Sequence, residues 1–258
     1  MCAGRAKVAH PAVRFGGMFG RVQAVVADAL GAVFPVPCVG CGRGADPLCG
    51  GCTARLSSAP VVPAPPGIDW WVACFAYEGA AREAIARAKY RNARSAFPAL
   101  AAHLAACVAG RLAAGAHGST AVRVPDVVTW APASAARVRR TGVDHAEFLA
   151  HAVAARLGLP ARRLLVRLDA GAQTGAAARA RRLGPRVHAL PLTAGCAVLV
   201  VDDVATTGGT LTAAARALRD RGARHVVAAT LARTPPRSGG GSRGPIIGAP
   251  IDAGSPTG

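Results

Sequence analysis

The chain has 258 residues, of which 31 are basic and 13 acidic, so its formal net charge is +18. Apolar residues make up 52% and aromatic residues 4%, which is enough apolar side chain to bury a core and excludes a fully disordered chain. There is no glycine period, no sustained heptad pattern and no uncharged apolar run of about 18 residues, so collagen-like, coiled-coil and membrane-spanning architectures are set aside. The positive charge is almost all arginine, because Lys7 and Lys89 are the only lysines. It reads either as a bias of composition or as affinity for a phosphate-rich partner. Residues 137–186 hold eleven arginines against Asp144, Glu147 and Asp169, which marks where a polyanion would be drawn.

Residues 1–20 are basic and glycine-rich and give no element. Residues 21–33 predict a short amphipathic helix. Asp28 in its middle, and the lack of a small-residue cleavage site after it, argue against a secretion signal. Next come Cys38, Cys41, Cys49 and Cys52 in a C-x2-C-x7-C-x2-C pattern. Four thiolates at this spacing close a tetrahedron around zinc; two disulfides or an iron–sulfur cluster are the alternatives. Gly40, Gly42 and Gly44 suit tight turns that bring amides to the sulfurs. Cys2, Cys74, Cys107 and Cys196 read as isolated. With no secretion signal, reduced thiols and a cytoplasmic setting are expected.

The proline-rich stretch 57–67 reads as a linker between this 21–56 unit and a larger domain over 68–234. Strands are expected at 70–77, 126–132, 162–168, 197–204 and 225–233, with helices at 82–90, 97–115, 143–158 and 210–221. Residues 169–187 read as a long polar loop carrying Arg179, Arg181, Arg182 and Arg186, and 235–258 as a disordered tail. Strands that alternate with helices and have continuous apolar runs predict an α/β fold with a parallel sheet covered on both faces.

The chemistry concentrates in residues 198–218. Four apolar residues lead into Asp202 and Asp203, and then a loop of Thr206, Thr207, Gly208, Gly209 and Thr210 opens a helix. Ligands of open α/β sheets sit at the carboxyl ends of strands. Consecutive amides at a helix N-terminus suit a phosphate. Acids placed directly before such a loop suit the vicinal hydroxyls of a sugar phosphate. A Walker A loop is excluded, because both lysines follow alanine.

This Asp-Asp and Thr-Thr-Gly-x-Thr arrangement resembles the 5-phosphoribosyl-1-pyrophosphate (PRPP) signature of type I phosphoribosyltransferases. Together with the four-cysteine module, Ala76–Gly79 and residues 131–150, the chain resembles the ComF/GntX family over about 25–233. The Gln-Thr-Gly of 173–175 resembles that family's glutamine-containing loop. The resemblance implies a type I phosphoribosyltransferase-like domain behind a zinc-ribbon-like module, binding PRPP with Mg2+ and transferring or sensing the phosphoribosyl group. It implies that Asp202 and Asp203 hold the ribose hydroxyls and the amides of 206–210 the 5-phosphate. Pyrophosphate would lie near Ala133, Ser134 and Ala135, with Arg137 or Arg139 beside it. Arg137, Arg139 and His145 are the catalytic candidates, and His188 is an acid–base group by type alone. Val143, Asp144 and His145 stand where the family often has Phe-Asn-Gln. Thr206 replaces the carboxylate of purine-salvage relatives and disfavours hypoxanthine or guanine as acceptor. The other reading is a competence or DNA-uptake accessory protein, binding single-stranded DNA or partner proteins on the same scaffold. Oligomeric state is left open, a dimer included.

Overall fold

The computed structural model describes residues 37–44, 46–90, 96–116, 122–168 and 185–235. The first twenty residues, the helix expected over 21–33, residues 169–184 of the arginine-rich loop and the tail from 236 lie outside the described residues. In chain order the elements are α1 (Gly50–Thr53), β1 (Trp71–Ala76), α2 (Gly79–Tyr90), α3 (Phe97–Ala116), β2 (Val127–Trp130), α4 (Ala135–Thr141), α5 (His145–Leu157), β3 (Leu165–Leu168), β4 (Arg186–Ala189), β5 (Ala197–Ala205), α6 (Gly209–Asp220) and β6 (His225–Arg233).

Strands β5 and β6 are buried almost end to end because both faces of the sheet are covered. Their side chains alternate between two cores. Leu199, Val201, Val227, Ala229 and Leu231 pack with α2, α3 and α5, while Val198, Val200, Val226 and Ala228 pack with α6 and the β3–β4 hairpin. The four-stranded sheet runs β1-β6-β5-β2, and every pair in it is parallel. Each crossover therefore passes over a face and covers it.

Two expectations about strands change. The 162–168 strand is not a member of this sheet: β3 pairs antiparallel with β4 in a separate two-stranded sheet. A single bridge, Val128 to Ala161, ties its approach to β2. Strand β4 itself falls where the sequence reads as the end of a polar loop, since its alternation of Arg186, Val187, His188 and Ala189 is too short to register as a strand. Helix α4 is likewise too short for a periodic signal. Its ends are nonetheless marked, with Ser134 accepting from the Arg137 amide and Gly142 closing it at φ 74°.

Residues 97–115 are long and apolar enough by length and composition to cross a membrane. Here they form α3, which buries Phe97, Leu100, Leu104 and Val108 against the sheet and α5. Cys74 and Cys107 are not isolated from one another: β1 and α3 bring their sulfurs within 3.0 Å.

The 57–67 stretch lies against the larger domain. Ala76 donates to the Ser57 carbonyl and Ala59 to that of Cys74, so 57–59 covers the open edge of β1. At its far end, Arg219 of α6 donates to the Gly67 carbonyl at 2.9 Å and meets Asp69 at 2.6 Å. Asp69 also accepts from the Val226 amide at 3.0 Å. This knot joins three segments distant in sequence while remaining partly open to water. Asp69→Ala should therefore lower unfolding free energy by about 1–2 kcal/mol, between an exposed ion pair and a charged hydrogen bond. In urea denaturation, Asp69→Ala/Arg219→Ala should cost less than the sum of the two single changes.

Candidate functional site

Asp202 and Asp203 end the buried run of β5, and both are buried. Alternation along the strand sends them to opposite faces. Asp203, in step with Leu199 and Val201, meets Lys89 of α2, Nζ to Oδ2, at 2.7 Å, with the two side chains 6% and 4% exposed. Asp202, in step with Val198 and Val200, faces the start of α6, and its Oδ1 accepts from the Asp203 amide at 2.8 Å. Burial, and then the neighbouring Asp203 charge, push the Asp202 carboxyl from its ordinary 3.8 to about 8, with the amide, Lys89 and Arg137 offsetting only part of this. The pair is thus chemically unequal.

A cavity of about 40 Å3 lies over the pair, lined by Asp202, Asp203, Thr210, Arg137, Arg167 and His145 among others. It has room for no more than a few water molecules. Beyond it opens a cleft of about 740 Å3 between β2, α4, α5 and β3, which shares Pro132, Ala133, Asp144 and Arg167 with the cavity.

The Thr-Gly loop turns directly into α6. Gly208 takes the left-handed conformation at φ 75°, and a Cβ there would fall 2.9 Å from Pro65 Cγ. Glycine is therefore required both by conformation and by packing. Thr206 and Thr207 are exposed. The Gly209 amide reaches the Thr207 hydroxyl at 3.4 Å, a long contact that a stronger acceptor would displace.

The loop after β2 is held by Asp144. Its Oδ2 accepts from the Ala133 amide and its Oδ1 from the Ala146 amide, each at 3.1 Å. Asp144 is thus the cap of α5 and the anchor of the 131–135 loop, and the Ala133 amide is already engaged. The Ser134 hydroxyl caps α4. Of the catalytic candidates, Arg137 lines the cavity. Arg139 is exposed and is not among the residues lining it. His145 is buried, with Nε2 3.1 Å from the Lys89 carbonyl and its ring stacked on Phe97. Burial lowers its pKa, so a neutral ring donating to that carbonyl fits the geometry. His188 is exposed and accepts from Arg221 at 2.9 Å, in the tautomer that leaves Nε2 unprotonated.

The four module cysteines place their Sγ atoms within 4.8 Å of one another, and Cys41 and Cys49 are 3.9 Å apart. A zinc tetrahedron with bonds of about 2.3 Å has edges of about 3.8 Å, so the donor set fits zinc. Burial pushes the Cys38 thiol up, but the amides of Cys49, Cys41 and Gly40 outweigh it and bring the thiol to about 6. Burial, with the neighbouring thiols, pushes Cys52 up to about 11, and Arg55 offsets only part of this. A bound cation would ionise all four. A Cβ on Gly40 would lie 2.5 Å from Cys52 Sγ, so the turn tolerates only glycine.

Sequence reasoning missed Lys89 and Arg167. The signal for Lys89 was its rarity, a lysine in a chain that otherwise uses arginine; nothing in the local pattern singled out Arg167.

Residues 144–244 match the model of the phosphoribosyl transferase domain family. No curated protein sequence matches the chain. Among solved structures, the glutamine PRPP amidotransferase from B. subtilis is similar at 25% identity and a TM-score of 0.35, over 53% of this chain and 26% of that one. The purine phosphoribosyltransferase from Pyrococcus horikoshii is similar at 18% identity and a TM-score of 0.29, over 53% of this chain and 73% of that one. This chain therefore spans about a quarter of the amidotransferase. The matched segment contains β5, its carboxylate pair, the Thr-Gly loop and α6, and the fold is a type I phosphoribosyltransferase-like α/β sheet preceded by a four-cysteine module able to hold zinc.

Proposed function

We propose that the chain binds PRPP with Mg2+ and transfers its phosphoribosyl group to an acceptor. One observation carries the reading: a buried carboxylate pair runs directly into a Thr-Gly loop at a helix N-terminus, inside the segment that matches the phosphoribosyl transferase domain. The carboxylates would accept from the ribose 2- and 3-hydroxyls, and the amides of 206–210 would hold the 5-phosphate. Arg137 would face the pyrophosphate. Cleavage at C1 develops positive charge on the ribose, as in glycoside hydrolysis. The protein's part is then to fix the sugar and steady the departing anion. Carboxylate oxygens suit Mg2+, which when bound would neutralise leaving-group charge, held chiefly by substrate oxygens and water. The four-cysteine module, with its place in a ComF/GntX-like chain, would carry one structural zinc.

In the Asp203→Asn variant, loss of one charged hydrogen bond worth about 1.5–3 kcal/mol should weaken PRPP binding by ~10–100-fold in calorimetry, at about 1.4 kcal/mol per tenfold. An unchanged dissociation constant would remove the loop as the PRPP site.

Asp202 alone gives a pH signature. Its carboxyl is held near 8 in the fold and near 3.9 in the unfolded chain, so between those values the fold binds the extra proton. Its contribution to stability is full below about 4 and is lost as pH rises towards 8. Asp202→Asn keeps the acceptor for the Asp203 amide and removes the ionisation. The unliganded variant should therefore melt higher than wild type at pH 8–9, and the gap should close near pH 5.

Zinc analysis should return about one metal per chain, bound by four thiolates. Gly40→Ala should release it at chelator concentrations the wild type withstands, because the added methyl meets a ligand sulfur.

A further inference from the structure

Lys89 is buried and ion-paired, yet it belongs to none of the motifs that define the site. It sits in the last turn of α2, and three contacts pin that turn. Its ammonium meets Asp203 Oδ2 at 2.7 Å. Its carbonyl faces His145 Nε2 at 3.1 Å. Two residues earlier, Arg87 donates to the carbonyls of Val39 and Gly40 in the first cysteine turn, the former at 3.2 Å. The ammonium is therefore held in place from the cysteine module on one side and from α5 on the other.

The residue type is the second observation. The chain uses arginine at every basic position except Lys7 and Lys89. Arginine's planar fork takes both oxygens of a carboxylate, whereas lysine is a compact point charge that engages one. With Oδ2 on Lys89, Asp203 keeps its second oxygen for another donor, and the residue lines the cavity with Asp202 and Thr210. Lysine also supplies the charge that allows two carboxylates to sit side by side in a buried place.

We propose that Lys89 is a positioning residue of the sugar-phosphate site: it holds Asp203 by one oxygen and leaves the other for a ribose hydroxyl. The proposal rests on the PRPP reading above and adds to it a residue from outside the matched 144–244 segment. Lys89→Met removes the charge and leaves the carboxylate pair uncompensated. Lys89→Arg keeps the charge but occupies both oxygens. Both variants should lose PRPP–Mg affinity by at least tenfold, the second without losing positive charge.

The wild-type chain permits a direct check that does not depend on either variant folding. With 15N-lysine labelling there are two side-chain ammonium signals to follow, and Lys7→Arg assigns the remaining one to Lys89. The buried, paired ammonium should exchange slowly and shift on titration with PRPP–Mg, in step with the Thr210 backbone amide in a uniformly labelled sample. If Thr210 moves while the Lys89 signal stays fixed, or if Lys89→Arg binds PRPP like wild type, the assignment is overturned. If neither signal moves, the PRPP reading itself falls, and this proposal falls with it.

Discussion

Two adjacent carboxylates at the end of a strand buried on both faces face a large desolvation cost, and much of the molecule answers to it. An isolated buried charge is not tolerated, so it must be paired, hydrogen-bonded or protonated. The chain uses all three. Asp203 is paired with Lys89. Asp202 accepts an amide and is pushed towards protonation at neutral pH. Strand alternation makes this division of labour unavoidable, because neighbouring side chains on β5 enter different surroundings.

The ion pair in turn sets demands on α2. A lysine whose ammonium must reach one carboxylate oxygen needs its helix fixed, and the fixing comes from the four-cysteine turn through Arg87 and from α5 through His145. The module buries Cys38, Val39, Leu48 and Cys52 in the same cluster as Ala84, Ile85 and Ala88 of α2. Its cysteines and the carboxylate pair are thus connected through one helix, although neither touches the other.

What was legible in the sequence was what is contiguous in it. The Asp-Asp pair, the Thr-Gly loop and α6 follow one another within a few residues, and the cysteine spacing is local as well. The parallel sheet was legible because β5 and β6 are apolar on both faces and cannot be mistaken for half-exposed strands. The pairing of Lys89 with Asp203 was not, because the partners are far apart in the chain and a lone lysine in a helical stretch reads as solvated. Asp144 read only as a departure from the family's Phe-Asn-Gln, and its structural task, both oxygens accepting from amides of the 131–135 loop and of α5, depends on contacts formed only in the fold. The 162–168 strand was legible, but its hairpin was not, because the four polar-alternating residues of β4 leave no periodic signal, and Cys74 and Cys107 looked solitary because a helix and a strand bring them together only in the fold.

The contact between Pro65 and Gly208 gives the stretch before β1 a further meaning. Pro65 is buried, and Gly208 of the Thr-Gly loop rests on its ring with no room for a methyl group between them. The back wall of the loop is thus built from a segment that precedes the α/β sheet, and a proline ring, already fixed at φ, forms that wall with little entropy to lose. Shortening the chain to begin at the first strand would leave the strands and helices intact on paper while taking away the surface on which Gly208 of the Thr-Gly loop rests. The wall of the Thr-Gly loop is therefore built from residues that precede the sheet itself.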